Sequence, residues 1–160
     1  MELKELMDGL AATCGIDGLA AGNDGAYHLS FDDMNVSFKS LDESGRLVVW
    51  AEVCEPPSEG REPLYRLLME SMFQEQATGG ATFSIESGSG KIYLQRIEFI
   101  SALDVESFNG LVEKFVDTLE HWRKIIVGFS PVASELERVA AEDSEIDRQS
   151  GMGMGGFMQV

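Results

Sequence analysis

The first forty residues change from a helical to an alternating pattern of apolar positions. Near the N-terminus, apolar side chains recur three or four residues apart, at Leu3, Leu6, Met7, Leu10 and Ala11. This stripe predicts an amphipathic helix that ends at Gly15. Apolar and polar residues then alternate in two segments, with Tyr27, Leu29 and Phe31 in the first and Met34, Val36 and Phe38 in the second. The alternation predicts two half-buried strands, joined by a tight reversal at Asp32 and Asp33 because Asp tolerates left-handed backbone.

The next segment, residues 47–51, is apolar without alternation and reads LVVWA. Such a run is typical of a strand covered on both faces, so we expect it to be the central strand of the sheet. Pro56 and Pro57 place the chain outside the sheet soon afterwards, because proline cannot donate a ladder hydrogen bond.

A second helix is predicted from Pro63, a residue typical of a first helical turn, to about Gln76. Its apolar residues form two neighbouring stripes, one of Leu64, Leu67 and Leu68 and one of Tyr65, Met69, Met72 and Phe73. A helix in a small monomer needs only one apolar face. Either the two stripes form one wide surface toward the core, or one packs on the sheet and the other contacts a second subunit.

The rest of the pattern predicts two more strands and a long helix. After Gly79 and Gly80, residues 81–85 alternate as a strand, and a second strand covers residues 92–99. In that strand the apolar positions change phase, which predicts a bulge near Gln95 and Arg96. A third helix begins near Asp104 and is stopped by Gly128 and Pro131.

These elements follow the order α-β-β-β-α-β-β-α, which predicts an α+β fold with a twisted, mainly antiparallel sheet packed with helices. We expect one domain over residues 1–129. Residues 130–160 differ in composition, being acidic and then rich in Gly and Met, and we expect a flexible tail. The tail either is dispensable or makes adaptable apolar contacts through Met152, Met154, Phe157 and Met158.

The charge restricts the kinds of partner. The chain carries 28 acidic and 12 basic residues, for a net charge of −16. This argues against binding nucleic acid or an anionic membrane, since both require clustered Lys and Arg. The N-terminus is acidic and no apolar segment follows it, and no apolar run is long enough to span a bilayer. The sequence has two cysteines, Cys14 and Cys54. We therefore expect a cytoplasmic protein without disulfides.

Candidate chemistry is sparse. His28 and His121 are the two histidines, and neither belongs to a recognisable catalytic or metal-binding motif. Asp117 and His121 have the i, i+4 spacing of a ligand pair, but no third ligand is evident. We therefore expect no catalytic residue, no metal and no cofactor, and a protein that is not an enzyme.

A spaced series of short cues resembles a known family over residues 1–127. The cues are the first helix with Leu3 and Leu6 before Gly15, the hairpin at residues 29–36, the strand at 45–51 with its proline exit, the second helix at 64–72, the hairpin at 83–94, and the terminal helix at 108–122 with its aromatic end. In this order they resemble the class I type III secretion chaperones, the CesT or Tir-chaperone family.

The resemblance implies a homodimer without catalytic activity that binds the N-terminal segment of a secreted effector or translocator, keeps it extended and soluble, and presents it to the export apparatus. The implied dimer interface comprises Leu64, Leu67, Leu68, Met72, Phe73 and Phe83. Apolar residues of the first helix and early strands are our candidates for client binding: Leu3, Met7, Leu10, Leu29, Phe31, Val36 and Phe38. The alternative is a non-catalytic adaptor of similar fold that binds a folded partner.

Overall fold

The computed structural model describes residues 2–41 and 45–130, so the predicted tail lies outside the described residues except for Ser130. Within these residues, three α-helices and five strands occur in the predicted order, with short 3-10 helices at Phe73–Glu75 and Ile100–Ala102. Their bounds are α1 (Leu3–Cys14), β1 (Tyr27–Phe31), β2 (Met34–Ser40), β3 (Arg46–Cys54), α2 (Arg61–Ser71), β4 (Thr82–Ile85), β5 (Ile92–Phe99) and α3 (Val105–Val127). The α+β class is confirmed.

The strands form one antiparallel sheet in the order β1-β2-β3-β5-β4, which makes β3 central as predicted. Residues directly opposite each other share a face of the sheet. One such row crosses all five strands, from Leu29 through Val36, Ala51 and Leu94 to Phe83. This face is the core face, and the opposite one is the open face.

Helices α1 and α3 supply most of the cover for the core face. The side chains of Leu6 and Met7 on α1 and of Leu119 on α3 are fully buried in the same cluster as the sheet residues. Phe38 of β2 meets Phe108 of α3 edge-on, with ring centroids 5.9 Å apart. The apolar stripe near the N-terminus is therefore core, because its side chains lie between the sheet and α3.

The local signals for helix ends and turns act as predicted. Gly15 ends α1 with φ +67°, and its N–H bonds back to the last turn. Asp104 caps α3, since its side chain accepts a hydrogen bond from the backbone N–H of Ser107 at 2.8 Å. Asp32 adopts φ +53° in the β1–β2 reversal, which confirms the reason for expecting a tight turn there.

The bulge predicted at Gln95 and Arg96 is wrong. Strand β5 pairs regularly through these residues, and the irregularity lies on β3 between Glu52 and Cys54. The change of apolar phase has a different cause: Ile97 and Phe99 point to the open face, where they are 47% and 56% exposed.

Helix α2 is shorter than predicted. It ends at Ser71, and Gln74 and Glu75 take left-handed φ values of +55° and +57° within the next turn. The chain reverses here to bring β4 beside β5, and the backbone N–H of Phe83 donates to Sδ of Met72 at 3.0 Å. The tertiary position of β4 thus decides where α2 stops.

Two glycines test the packing between α1 and α3. A Cβ at Gly9 would lie 2.5 Å from Cγ1 of Val105, whereas a Cβ at Gly110 meets nothing within 4 Å. We expect Gly9→Ala to lower the free energy of unfolding by about 1–2 kcal/mol, because overpacking outweighs the gain in helix propensity. Gly110→Ala should raise it by about 0.5–1 kcal/mol. Urea unfolding measures both, and an unchanged or higher stability of Gly9→Ala contradicts the close packing.

Candidate functional site

An apolar groove of about 360 Å³ lies between α2 and the strands β4 and β5, and we call it the α2–β4 groove. Its lining comprises Tyr65, Leu68, Met69, Met72, Phe83, Ser84, Ile85 and Ile92. Both apolar stripes of α2 contribute, Leu68 from one and Tyr65, Met69 and Met72 from the other. The groove therefore combines the buried Leu68 with half-buried residues of the second stripe and with Met69, which is largely exposed.

Large apolar side chains stand exposed at and beside this groove. Met69 is 69% exposed, Ile85 is 52% exposed, and Phe73, just after α2, is 68% exposed. Exposed apolar groups gathered in one place mark interaction surfaces, whereas isolated ones are ordinary. This groove is consequently a candidate protein–protein interface.

Trp122 near the end of α3 packs behind the Phe83 side of the α2–β4 groove. Its ring packs edge-on against Phe83, with centroids 5.2 Å apart. Its indole Nε1–H donates to the carbonyl of Ala77 at 3.0 Å, so the segment that joins α2 to β4 is tied to α3. The buried Trp122 thus sets the position of the groove's Phe83 wall.

A second groove, of about 500 Å³, lies between α1, the end of β1 and α3, and we call it the α1–α3 groove. Its apolar lining is Leu10, Phe31, Val112 and Val116, and its other lining residues are Thr13, Cys14, Glu106, Asn109, Gly110, Glu113 and Asp117. Leu10 and Val112 are buried, while Phe31 and Val116 are half-buried. Apolar surface therefore remains accessible on this side of the molecule.

A hydrogen-bond chain sets the spacing of the two helices along this groove. The hydroxyl of Thr13 donates to the carbonyl of Gly9 at 3.0 Å. The hydroxyl oxygen of Thr13 on α1 in turn accepts a hydrogen bond from Nδ2 of Asn109 on α3 at 2.9 Å. The end of α1 is thereby held against α3, and the α1–α3 groove has a fixed width.

The structure places the client-binding candidates unevenly. Leu10 and Phe31 line the α1–α3 groove, and only Phe31 of the whole set is partly exposed. The other candidates are buried side chains of the core, namely Leu3, Met7, Leu29, Val36 and Phe38. They face the core because α1 and α3 cover this face of the sheet, so client binding through them stays a prediction. Pattern reasoning missed Thr13, Asn109 and Val116, whose grouping depends on the packing of α1 on α3.

The dimer-interface candidates gather near the α2–β4 groove. Leu68, Met72 and Phe83 line it, and Leu64 is buried beneath α2. Leu67 is half-buried and Phe73 is exposed. The set omitted Met69 and Ile85, which are more exposed than most of its members. Their signal was present in the sequence, since Met69 belongs to the second stripe of α2 and Ile85 follows Phe83 at strand period.

Two kinds of site are absent from the described part of the chain, a cluster of metal ligands and a helix able to span a membrane. Within residues 2–41 and 45–130, no three His, Cys, Asp or Glu side chains come together as a metal site. None of the helices described is both long and apolar enough to cross a bilayer.

Comparison with known proteins identifies the family. The chain matches the model of the Tir chaperone protein (CesT) family over residues 5–123, and it belongs to this family. The resemblance seen in the sequence is thereby confirmed, and with it the expectation of a chaperone. No curated protein matches the chain in sequence.

Solved structures show the same fold at low sequence identity. A chain of the ExsC–ExsE complex aligns with a TM-score of 0.61 and 23% identity, covering 78% of this chain and 96% of that one. A chain of the HopA1–SchA chaperone–effector complex aligns with a TM-score of 0.64 and 15% identity, over 76% and 92%. A chain of the heterodimeric ExoU–SpcU complex, from the type III secretion system of Pseudomonas aeruginosa, aligns with a TM-score of 0.60 and 16% identity. The alignment covers 76% of this chain and 95% of that one.

The two cysteines are expected to differ in reactivity. Cys14 is exposed at the α1–α3 groove, whereas Cys54 is half-buried. Burial raises the pKa of the Cys54 thiol, the Glu52 carboxylate raises it further, and Arg123 opposes both.

Because the thiolate is the nucleophile, iodoacetamide at mildly alkaline pH should alkylate Cys14 several-fold faster than Cys54. Mass spectrometry of the peptides measures both rates. They should converge in urea, and equal rates in the folded protein contradict the assigned burial.

Proposed function

We propose that this protein is a type III secretion chaperone that binds the N-terminal segment of a secreted effector or translocator. It keeps this segment extended and soluble in the cytoplasm and presents it to the export apparatus, without catalysing a reaction. The observation that carries the proposal is the family match over residues 5–123. The related folds in a chaperone–effector complex and in a complex from a type III secretion system support it.

The accessible apolar surfaces agree physically with this function. A segment that is kept unfolded exposes apolar side chains, which aggregate unless they are covered. The α1–α3 groove offers apolar surface for such side chains at the half-buried Phe31 and Val116. Strand β1 is at the edge of the sheet, where an extended segment can add a further strand.

The proposed functional unit is a homodimer that buries the α2–β4 groove. Met69, Phe73 and Ile85 are the accessible apolar groups there, and Leu67, Met72 and Phe83 lie beside or beneath them. A two-fold axis near the groove would let each subunit cover the other's exposed stripe of α2, since such an interface uses the same patch on both subunits. In this arrangement one apolar stripe of α2 packs on the core of its own subunit, and the other contacts the second subunit.

Light scattering tests the dimer. We expect a mass of twice 17.5 kDa for the native chain. Phe73→Glu should shift the protein toward monomer, because the interface would have to bury a charge. Phe99→Glu is the matched control, since Phe99 is similarly exposed but lies on the open face of the sheet. A native monomer at micromolar concentration refutes the dimer, and a dimeric Phe73→Glu refutes this choice of interface.

Co-expression tests client binding. The partner is a secreted protein whose gene neighbours the gene of this chain, expressed as an N-terminal segment, as the full chain, and as the chain without that segment. A chaperone should copurify with the segment and the full chain but not with the truncated form. The opposite result, in which only forms containing the folded domain copurify, identifies the protein as an adaptor.

A further inference from the structure

Three carboxylates form one edge of the α1–α3 groove. Glu106, Glu113 and Asp117 are exposed on α3, and no Lys, Arg or His is among the groove's lining residues. Within the described ranges, 2–41 and 45–130, none of the three forms an ion pair. By contrast, Glu120 on the same helix binds Lys124 at 2.7 Å. The edge of the groove therefore carries uncompensated negative charge next to apolar surface.

The spacing of these carboxylates follows the groove. Glu106, Gly110, Glu113 and Asp117 are separated by four, three and four residues, so they lie on one stripe of α3. At 1.5 Å per residue the stripe is about 16 Å long, which equals roughly five residues of an extended peptide. Gly110 leaves the middle of the stripe open, since a Cβ there would meet nothing within 4 Å.

The charge identifies the chemistry of the occupant. Residues 131–160 of this chain contain six acidic and two basic side chains, and a second copy of the chain carries a net charge of −16. Like charge disfavours both at an acidic edge. A segment with Lys or Arg beside its apolar residues is attracted to the edge. Its apolar residues can at the same time pack on the apolar floor of the groove, where Phe31 and Val116 are half-buried above the buried Leu10.

From this arrangement we propose that the α1–α3 groove binds a client segment in which an apolar anchor is flanked by Lys or Arg within a few residues. The inference rests on the proposed chaperone function and specifies its client. The anchor packs on the apolar floor, and the basic side chains pair with Glu113 and Asp117. Basic flanks thus distinguish clients from other unfolded apolar segments.

Synthetic peptides test this inference on the full chain. Three fluorescein-labelled peptides share one length: Leu and Phe flanked by Lys, the same core flanked by Glu, and a Ser core flanked by Lys. Fluorescence anisotropy should show the first peptide binding about tenfold more tightly than either of the others. The preference for Lys over Glu should shrink in high salt, because exposed charges are screened.

Paired charge variants locate the effect. Glu113→Gln with Asp117→Asn should weaken binding of the Lys-flanked peptide about fivefold. Glu55→Gln with Glu59→Gln removes the same charge from the exposed loop before α2 and should change binding less than twofold. The bound peptide should also slow alkylation of Cys14, which lines the groove, and leave that of Cys54 unchanged.

Several results overturn the inference. These are equal affinity for the Lys-flanked and Glu-flanked peptides, an equal loss in both variant pairs, or no protection of Cys14. Protection of Cys14 that rises with protein concentration in the absence of peptide shows instead that a second copy occupies the groove. Binding of the N-terminal client segment by the Glu113→Gln, Asp117→Asn variant with native affinity also contradicts it, while the chaperone function stands. If the native chain does not copurify with the N-terminal client segment, the proposed chaperone function itself is refuted.

Discussion

The packing of α3 on the core face of the sheet is the interaction on which both grooves depend. Near its start, Phe108 meets Phe38 in the core, and near its end Trp122 supports Phe83 at the α2–β4 groove. Arg123 adds a polar tie, since its Nη2 donates to the carbonyl of Glu52 at 3.0 Å. The helix α3 thus supports Phe83 at the α2–β4 groove and contributes Val112 and Val116 to the α1–α3 groove.

In the described part of the chain, apolar surface stays accessible where the helices do not cover it. Short α2 buries Leu64 and Leu68 and leaves Met69 outside. Such exposure requires protection against unspecific association, which the net charge supplies by repulsion between molecules. Most of the acidic residues lie in the first 130 positions, because 22 of the 28 precede Pro131. At the α1–α3 groove the same charge acquires a local role, since it lies beside apolar surface.

Local signals predicted most of the fold, and the errors arose where one segment's conformation depends on another. Gly15 and Asp104 act within their own helices, so their positions were readable from the sequence. The end of α2 was not, because the pairing of β4 with β5 sets the reversal after Ser71. The phase change in β5 was misinterpreted as a bulge because periodicity assumes that every apolar residue of a strand faces the core, whereas Ile97 faces the open side.

The sequence by itself determined the order of elements, the α+β class, the family resemblance and the acidity, since each depends on residue type and spacing along the chain. The tertiary structure decided which apolar residues are core and which are accessible. Leu29 and Phe31 occupy the same face of β1, yet Leu29 is buried in the core and Phe31 is half-buried and lines the α1–α3 groove. The acidic edge beside it exists because α3 crosses α1 with Glu113 and Asp117 on that side, a placement that depends on contacts between residues about 100 positions apart.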